Sequence, residues 1–166
     1  SFDRIKTPDG KIHLHIEELV EELQGLASEE PASPTDAYPF VLTAGEHRGS
    51  TVNDIIRDPS WRKKDKDGAL RINPVDADRI GVVDGQRVRV ITKRGEAEAP
   101  ADISDTMMEG QVSLPHGFGM EYPDESGEHK IHGVAVNELT DLEDRDWLAL
   151  TPHHKHVRAR LEAVPG

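Results

Sequence analysis

Residues 73–90 read Asn73-Pro74-Val75-Asp76-Ala77-Asp78-Arg79-Ile80-Gly81-Val82-Val83-Asp84-Gly85-Gln86-Arg87-Val88-Arg89-Val90. Three kinds of local structure follow one another in this stretch. Asn73 is an N-cap residue type, Pro74 suits the first helical position, and Gly81 can take the left-handed stop, so the stretch predicts a short helix bounded by those residues. Val83-Asp84-Gly85 is a turn. From Arg87 to Thr92 apolar and charged residues alternate around Val88 and Val90, the period of a half-buried strand. Lys93-Arg94-Gly95 then turns the chain into a second alternation, Glu96–Asp102, built on Ala97, Ala99 and Ala101. The pair reads as a β-hairpin.

The surrounding sequence has the same texture. Tyr38–Thr43, Ala69–Ile72, Val112–Leu114, Val134–Val136 and the alternating Val157, Ala159, Leu161 and Ala163 are strand candidates. Ser50–Arg57 suggests a helical turn, Lys63–Gly68 a charged loop, and residues 120–130 a polar loop. Many short strands, few helices and frequent Gly turns predict a mainly β fold closed into a compact barrel rather than a doubly wound sheet. Upstream, Thr7-Pro8-Asp9-Gly10 is a turn signal, and Ile16, Leu19, Val20 and Leu23 recur at helical spacing up to Gly25. Glu17, Glu18, Glu21 and Glu22 form the solvated side of that helix. The expected organisation is an amphipathic helical appendage over 1–26, a linker over 27–37 and a barrel unit over 38–166. An apolar stripe with nothing of its own to cover it suggests a chain cut from something larger.

Composition bounds the function. The 166 residues carry 20 Lys and Arg against 32 Asp and Glu, a formal charge of −12. That balance argues against nonspecific nucleic-acid binding, which needs cations against phosphate. No run approaches the roughly 18 apolar residues of a membrane helix, so no membrane contact is expected. The chain has no cysteine, which excludes disulfides, thiolate metal sites and a cysteine nucleophile. With no signal peptide at its start, the chain is expected to be cytoplasmic, although an export signal could lie on a missing N-terminus. Only 4% of residues are aromatic, so the core must be built from Val, Ile, Leu and Ala.

Four segments combine polar groups with Gly at strand ends. In Thr43-Ala44-Gly45-Glu46-His47-Arg48-Gly49-Ser50-Thr51 two glycines allow close backbone approach, and consecutive N–H groups can form an anion nest. Thr43, Ser50 and Thr51 add hydroxyls, and Arg48 adds a planar fork suited to phosphate. The second segment is His116-Gly117-Phe118-Gly119, in which the histidine is either a capped turn residue or a ligand contact. The third, Asn137-Glu138-Leu139-Thr140-Asp141, places Asn where it either makes a side-chain turn or reads a sugar or base edge. The fourth is Thr151-Pro152-His153-His154-Lys155-His156. Neighbouring side chains on one strand point apart and no acidic partner has ligand spacing, so no metal centre is read there. Lys155 is instead the candidate cation for a phosphate.

Taken in order, Tyr38–Gly45, Leu70–Val90, Val112–Gly119, Val136–Thr140 and Pro152–Lys155 resemble the C-terminal dinucleotide-binding domain of the molybdopterin oxidoreductases, the dimethyl-sulfoxide-reductase and formate dehydrogenase superfamily. The Asn-Pro-x-Asp-Ala…Gly-Val-x-Asp-Gly stretch is the most specific part. The opening Thr7-Pro8-Asp9-Gly10-Lys11-Ile12 is similar to the stretch that precedes this domain. The resemblance implies a double-psi β-barrel, the aspartate-decarboxylase-like type. It implies that this chain holds molybdopterin guanine dinucleotide, with molybdenum or tungsten, while upstream domains of the same polypeptide supply metal ligand and electron transfer. No catalytic or metal-ligating residue is expected in this chain, which alone is expected to be inactive. By the same resemblance Thr43, Ala44, Gly45, Glu46, His47, Arg48, Ser50 and Thr51 form the cofactor loop. His116 and Gly117 sit beside the pterin, Asn137 contacts the ribose or phosphate region, and Lys155 approaches a pterin or phosphate oxygen. Glu46 stands where many relatives carry Arg, and Phe118 where Trp is common. Two other readings stay open. Aspartate decarboxylases share this barrel and self-cleave at a Gly-Ser bond, which Gly49-Ser50 supplies, and barrels of this type also serve as partner-binding modules.

Overall fold

Among the described residues of the computed structural model, six of eight strands close into one barrel, and the order in which they pair is not their order in the chain. The strands are β1 (Phe40–Glu46), β2 (Leu70–Ile72), β3 (Arg87–Thr92), β4 (Glu96–Ile103), β5 (Gln111–Pro115), β6 (Met120–Pro123), β7 (His129–His132) and β8 (Val157–Ala163), with helices α1 (Glu17–Gly25) and α2 (Pro74–Ile80). The structure describes residues 4–29, 33–46, 48, 61, 65, 67–146 and 148–165. The barrel runs β1-β5-β2-β4-β3-β8 and returns to β1. The β1–β5 and β2–β4 pairs are parallel, and the rest are antiparallel. This interleaving of sequence-distant strands in a closed six-stranded barrel agrees with the double-psi fold that the family resemblance implies, and closure leaves the barrel no open sheet edge.

Alternation decides what fills it. Phe40, Leu42 and Ala44 on β1, Leu70 and Ile72 on β2, Val88 and Val90 on β3, Ala99 and Ala101 on β4, and Ala159 and Leu161 on β8 are all buried, as a period of two demands. Val112 and Leu114 of β5 complete the interior. The barrel interior is therefore aliphatic apart from Phe40, whose ring centroid lies 5.1 Å from the Arg79 guanidinium carbon, and Phe118, the other buried aromatic among the described residues, lies outside that cluster.

The stretch quoted first folds as its residue types require. The Asn73 side chain accepts the Val75 N–H at 2.8 Å and donates to the Met107 carbonyl at 2.8 Å, so one side chain both caps α2 and ties down the β4–β5 connection. Gly81 ends the helix at φ +71°. Asp76, fully buried, accepts the Gly110 N–H at 2.7 Å and pairs with Arg79 at 2.6 Å. A buried carboxylate is stable only when its lone pairs are used in this way.

Three expectations are corrected. Residues 120–130 are not simply a polar loop, because β6 and β7 form a two-stranded hairpin outside the barrel. Val134–Val136 is not a strand: Val134 and Val136 are buried, and residues 136–138 form a 3-10 turn. The apolar character there serves packing under the barrel mouth, which a short apolar run cannot distinguish from a strand. Helix α1 ends near Gly25 as expected, yet Gly25 is right-handed and the chain tightens into a 3-10 turn over Leu26–Ser28. The whole Ser50–Arg57 turn and half of the Lys63–Gly68 loop lie outside the described residues. None of the described helices is long and apolar enough to cross a membrane.

Candidate functional site

At the end of β1 the barrel wall breaks its own register. Ala44 pairs with Leu114, but the next β1 residue in register is Glu46, opposite Pro115, so Gly45 bulges out of the ladder. Gly45 holds φ +86°, a conformation that costs a side-chain-bearing residue roughly 1–2 kcal/mol. A bulge re-aims the backbone beside it. Here it presents three main-chain groups to other segments. The Ala44 N–H donates to the His154 carbonyl at 2.7 Å, the Glu46 carbonyl accepts the His116 N–H at 3.2 Å, and the Gly45 carbonyl accepts Lys155 Nζ at 3.1 Å.

These contacts gather sequence-distant residues around one groove of about 420 Å³. Ala44 and Gly45 form one wall, His116, Gly117 and Phe118 another, Ala135, Val136 and Asn137 a third, and His154 and Lys155 the fourth. The second wall depends on packing of glycine against Phe118. A Cβ on Gly68 or Gly133 would fall within 3 Å of the Phe118 side chain, so both positions must stay bare for the ring to lie between them. Asn137 is exposed at the 3-10 turn, and its side chain makes no hydrogen bond among the described residues. It is available to a ligand.

A second cavity of about 610 Å³ shares Asn137 and His154 with the first and extends to Arg94, Thr140 and Asp141. A third, of about 310 Å³, shares Arg94, Thr140 and Asp141 and reaches Arg158. Through these shared residues the three adjoin one another in sequence, a layout suited to an elongated ligand. Arg94 sits at the tip of the β3–β4 hairpin. Its own N–H and that of Gly95 donate to Thr92 Oγ1 at 3.2 and 3.3 Å. The tip lies against the 3-10 turn closely enough that a Gly95 Cβ would meet the Glu138 carbonyl at 3.0 Å. The Arg94 side chain is exposed and has no ion pair among the described residues.

The expected site residues divide three ways. Ala44, Gly45, His116, Gly117, Asn137 and Lys155 converge on the groove. Thr43 stays in the β1 ladder opposite Ser113 and does not line it. Arg48 and Glu46, which were expected in the cofactor loop with Arg48 facing a pyrophosphate, do not line the groove and are bonded to other partners. The Arg48 side chain is 9% exposed, and Nη1 bonds Asp65 at 2.7 Å and the Ala69 carbonyl at 2.9 Å. Its Nε bonds Glu46 at 2.8 Å. Glu46 also takes Arg71 at 2.6 Å and the Ser113 hydroxyl at 2.6 Å. Burial opposes the Glu46 charge, but the Ser113 hydroxyl and the two arginines outweigh it and hold its carboxyl below the usual glutamate range. His47, Ser50 and Thr51 lie outside the described residues.

Arg94 is a lining residue that the sequence did not single out, whereas Phe118 and His154 lie in two of the segments it did single out but had been given no contact of their own. Arg94 reads as an ordinary hairpin-turn residue, and only barrel closure carries it to the mouth. Among the described residues no group of three His, Asp or Glu side chains is arranged to hold a metal ion.

Comparison with known proteins agrees with this geometry. Residues 40–158 match the family model described as "Molydopterin dinucleotide binding domain". Dimethyl sulfoxide reductase DmsA of Escherichia coli (strain K12) is 31% identical over 120 residues, covering 72% of this chain and 14% of that protein. The F420-dependent formate dehydrogenase subunit alpha of Methanocaldococcus jannaschii is 29% identical over 114 residues, 66% of this chain and 16% of that protein. The putative dimethyl sulfoxide reductase chain YnfE of E. coli is 27% identical over 92% of this chain, which spans 21% of its length. Acetylene hydratase from Pelobacter acetylenicus has the same fold, with a TM-score of 0.63 at 18% identity over 95% of this chain and 24% of that one. With the family model covering the whole barrel from β1 into β8, the chain belongs to the molydopterin dinucleotide-binding domain family of the molybdopterin oxidoreductases.

Proposed function

We propose that the adjoining cavities at the barrel mouth bind molybdopterin guanine dinucleotide carrying molybdenum or tungsten, within an oxidoreductase whose other domains hold the metal and pass electrons. The observation that carries this reading is the meeting of Gly45, His116, Asn137 and Lys155 at one groove, from positions far apart in the chain. The residues present suit such a group. Bare glycine backbone at Gly45 and Gly117, both at positive φ, allows a flat pterin close approach. Exposed Asn137 offers a donor and an acceptor to a ribose or phosphate. Lys155, Arg94 and Arg158 are among the cations along these cavities. At about 4 Å and an effective dielectric near 20, one cation against one phosphate charge is worth about 4 kcal/mol. In a chain at −12 such cations must be local. The cofactor supplies the redox chemistry when bound, and this chain binds and orients it.

The partner proposal rests on exposed apolar surface. Lys11-Ile12-His13-Leu14-His15-Ile16 alternates like a strand, yet Ile12 and Leu14 are 65% and 88% exposed, and Leu19 and Leu23 of α1 are exposed with them. A contiguous apolar ribbon of this kind marks an interface. The chain spans about a fifth of the length of YnfE. We assign the ribbon to contact with upstream domains of the same polypeptide, and residues 38–166 to the binding unit proper.

The test is metal analysis of the cofactor-loaded protein. Asn137→Ala and His116→Ala should lower molybdenum or tungsten content while leaving the barrel folded. Full metal content in both variants would refute the reading. An intact mass of 18.4 kDa for the isolated chain, with no cleavage before Ser50, removes the self-processing alternative.

A further inference from the structure

We infer that Glu46 is a positioning residue for the groove: its carboxylate, tied to Arg48, Arg71 and Ser113, sets the bend at which the Gly45 and Glu46 carbonyls leave the sheet to meet Lys155 and His116. The inference rests on the groove being the cofactor site, and the side-chain geometry decides between contact and positioning. Glu46 Oε1 takes Arg71 Nη1 at 2.6 Å, while Oε2 takes Arg48 Nε at 2.8 Å and Ser113 Oγ at 2.6 Å. One carboxylate thus joins the end of β1 to β2, through Arg71, and to β5, through Ser113. Arg48 extends the tie to Asp65, which stands at φ +50° and accepts the Ala69 N–H at 2.6 Å. Arg71 extends it to Asp102 on β4 at 3.0 Å.

The charges in the cluster argue against direct recognition of an anion. Among the described residues, two arginines face three carboxylates, Glu46, Asp65 and Asp102, which leaves a net −1. These described groups leave no unpaired positive charge for a phosphate. Their influence on a phosphorylated ligand must pass through the backbone. That backbone is the flexible point of the wall, because Gly45 occupies the bulge and lacks the side chain that would restrict it. On one side of the bulge, the Glu46 carbonyl receives the His116 N–H and the Gly45 carbonyl receives Lys155. On the other side, the Glu46 side chain is held by three groups on three segments. The bulge is clamped from both ends.

The experiment compares wild type with Glu46→Gln, Ser113→Ala and Asn137→Ala in the cofactor-loaded protein. Three readouts are taken: amide hydrogen exchange over residues 44–46, the absorption band of the bound cofactor, and molybdenum retained through gel filtration. The expected result for Glu46→Gln is exchange at Gly45 and Glu46 faster by about tenfold, equivalent to about 1.4 kcal/mol, with a shifted band in the molecules that keep cofactor. Ser113→Ala, which removes one tie of three, should fall between wild type and Glu46→Gln. A residue acting only on overall stability would lower the loaded fraction but leave the band of the remaining loaded molecules in place. An unshifted band and unchanged exchange in Glu46→Gln overturn the positioning role. If that variant does not fold, the same two null results in Ser113→Ala overturn it. Cofactor loss in Asn137→Ala with none in Glu46→Gln sinks the positioning role alone, whereas full retention in Asn137→Ala sinks the groove reading beneath it.

Discussion

Gly45 and Gly119 offer a matched pair of perturbations, because both hold nearly the same backbone conformation in very different surroundings. Their φ values are +86° and +81°. Replacing either with alanine therefore incurs the same left-handed cost of roughly 1–2 kcal/mol. Space separates them. A Cβ on Gly45 would meet only His116 Cβ, at 3.6 Å, an ordinary van der Waals contact. A Cβ on Gly119 would lie 2.5 Å from Ala135 Cβ and 2.6 Å from Ala135 Cα, and closer still to the Ala135 amide nitrogen. That overlap is with backbone, so the 135 segment must move, and overpacking of this kind adds about 1–3 kcal/mol. For a chain of this size each kcal/mol lowers Tm by about 2–4 °C. Gly45→Ala should therefore cost about 5 °C and Gly119→Ala about 10 °C, read by circular dichroism melting. The displaced segment leads into Val136 and Asn137, two groove-lining residues. Gly119→Ala should consequently also lower cofactor occupancy more than Gly45→Ala does, relative to its folded fraction. Equal melting losses in the two variants would refute the steric argument. Equal occupancy would refute the link from residue 119 to the site.

Four further outcomes follow from the same geometry. Arg48→Ala should destabilise the fold by about 2–3 kcal/mol, since it strips partners from the partly buried Glu46 and Asp65; a variant that melts like wild type but loses cofactor would restore Arg48 as a phosphate contact. Asn137→Ala should melt within about 0.5 kcal/mol of wild type, as expected of an exposed side chain with no hydrogen bond among the described residues, so an altered melt would show a structural role. Phe118→Ala should cost about 3 kcal/mol by emptying the space between Gly68 and Gly133, checked by denaturant unfolding. Because its partners lower the Glu46 pKa in the folded state, the stabilisation that the Glu46 charge provides is full above the ordinary glutamate value near 4.3 and lost as pH falls through the lowered one. The stability gap between wild type and Glu46→Gln should then be constant above about pH 5 and close on acidification; a gap that widens toward low pH would contradict this.

Short-range rules settled the local pieces. Helix α2, strand β3 and the β3–β4 hairpin were legible because each rests on a short-range rule. Asn73 caps, Pro74 starts, Gly81 stops, and Val88 and Val90 alternate with charge. The barrel class was legible from many short strands, the four candidate segments from polar groups beside glycine at strand ends, and the family resemblance supplied the roles expected of them. What alternation and propensity cannot encode is which strand pairs with which. Only the closed order β1-β5-β2-β4-β3-β8 brings the hairpin tip at Arg94 to the same mouth as Asn137. The direction of individual side chains was equally hidden. Arg48 in a Gly-rich loop reads as a phosphate ligand, but Asp65 and the Ala69 carbonyl, 17 and 21 residues on, claim its guanidinium first. Apolar Val134 and Val136 read as a strand because burial, not pairing, sets their composition. The sequence thus decided what each segment is able to do, and the fold decided which groups remained available to do it, since a side chain already bonded to a neighbour has little left to offer a ligand.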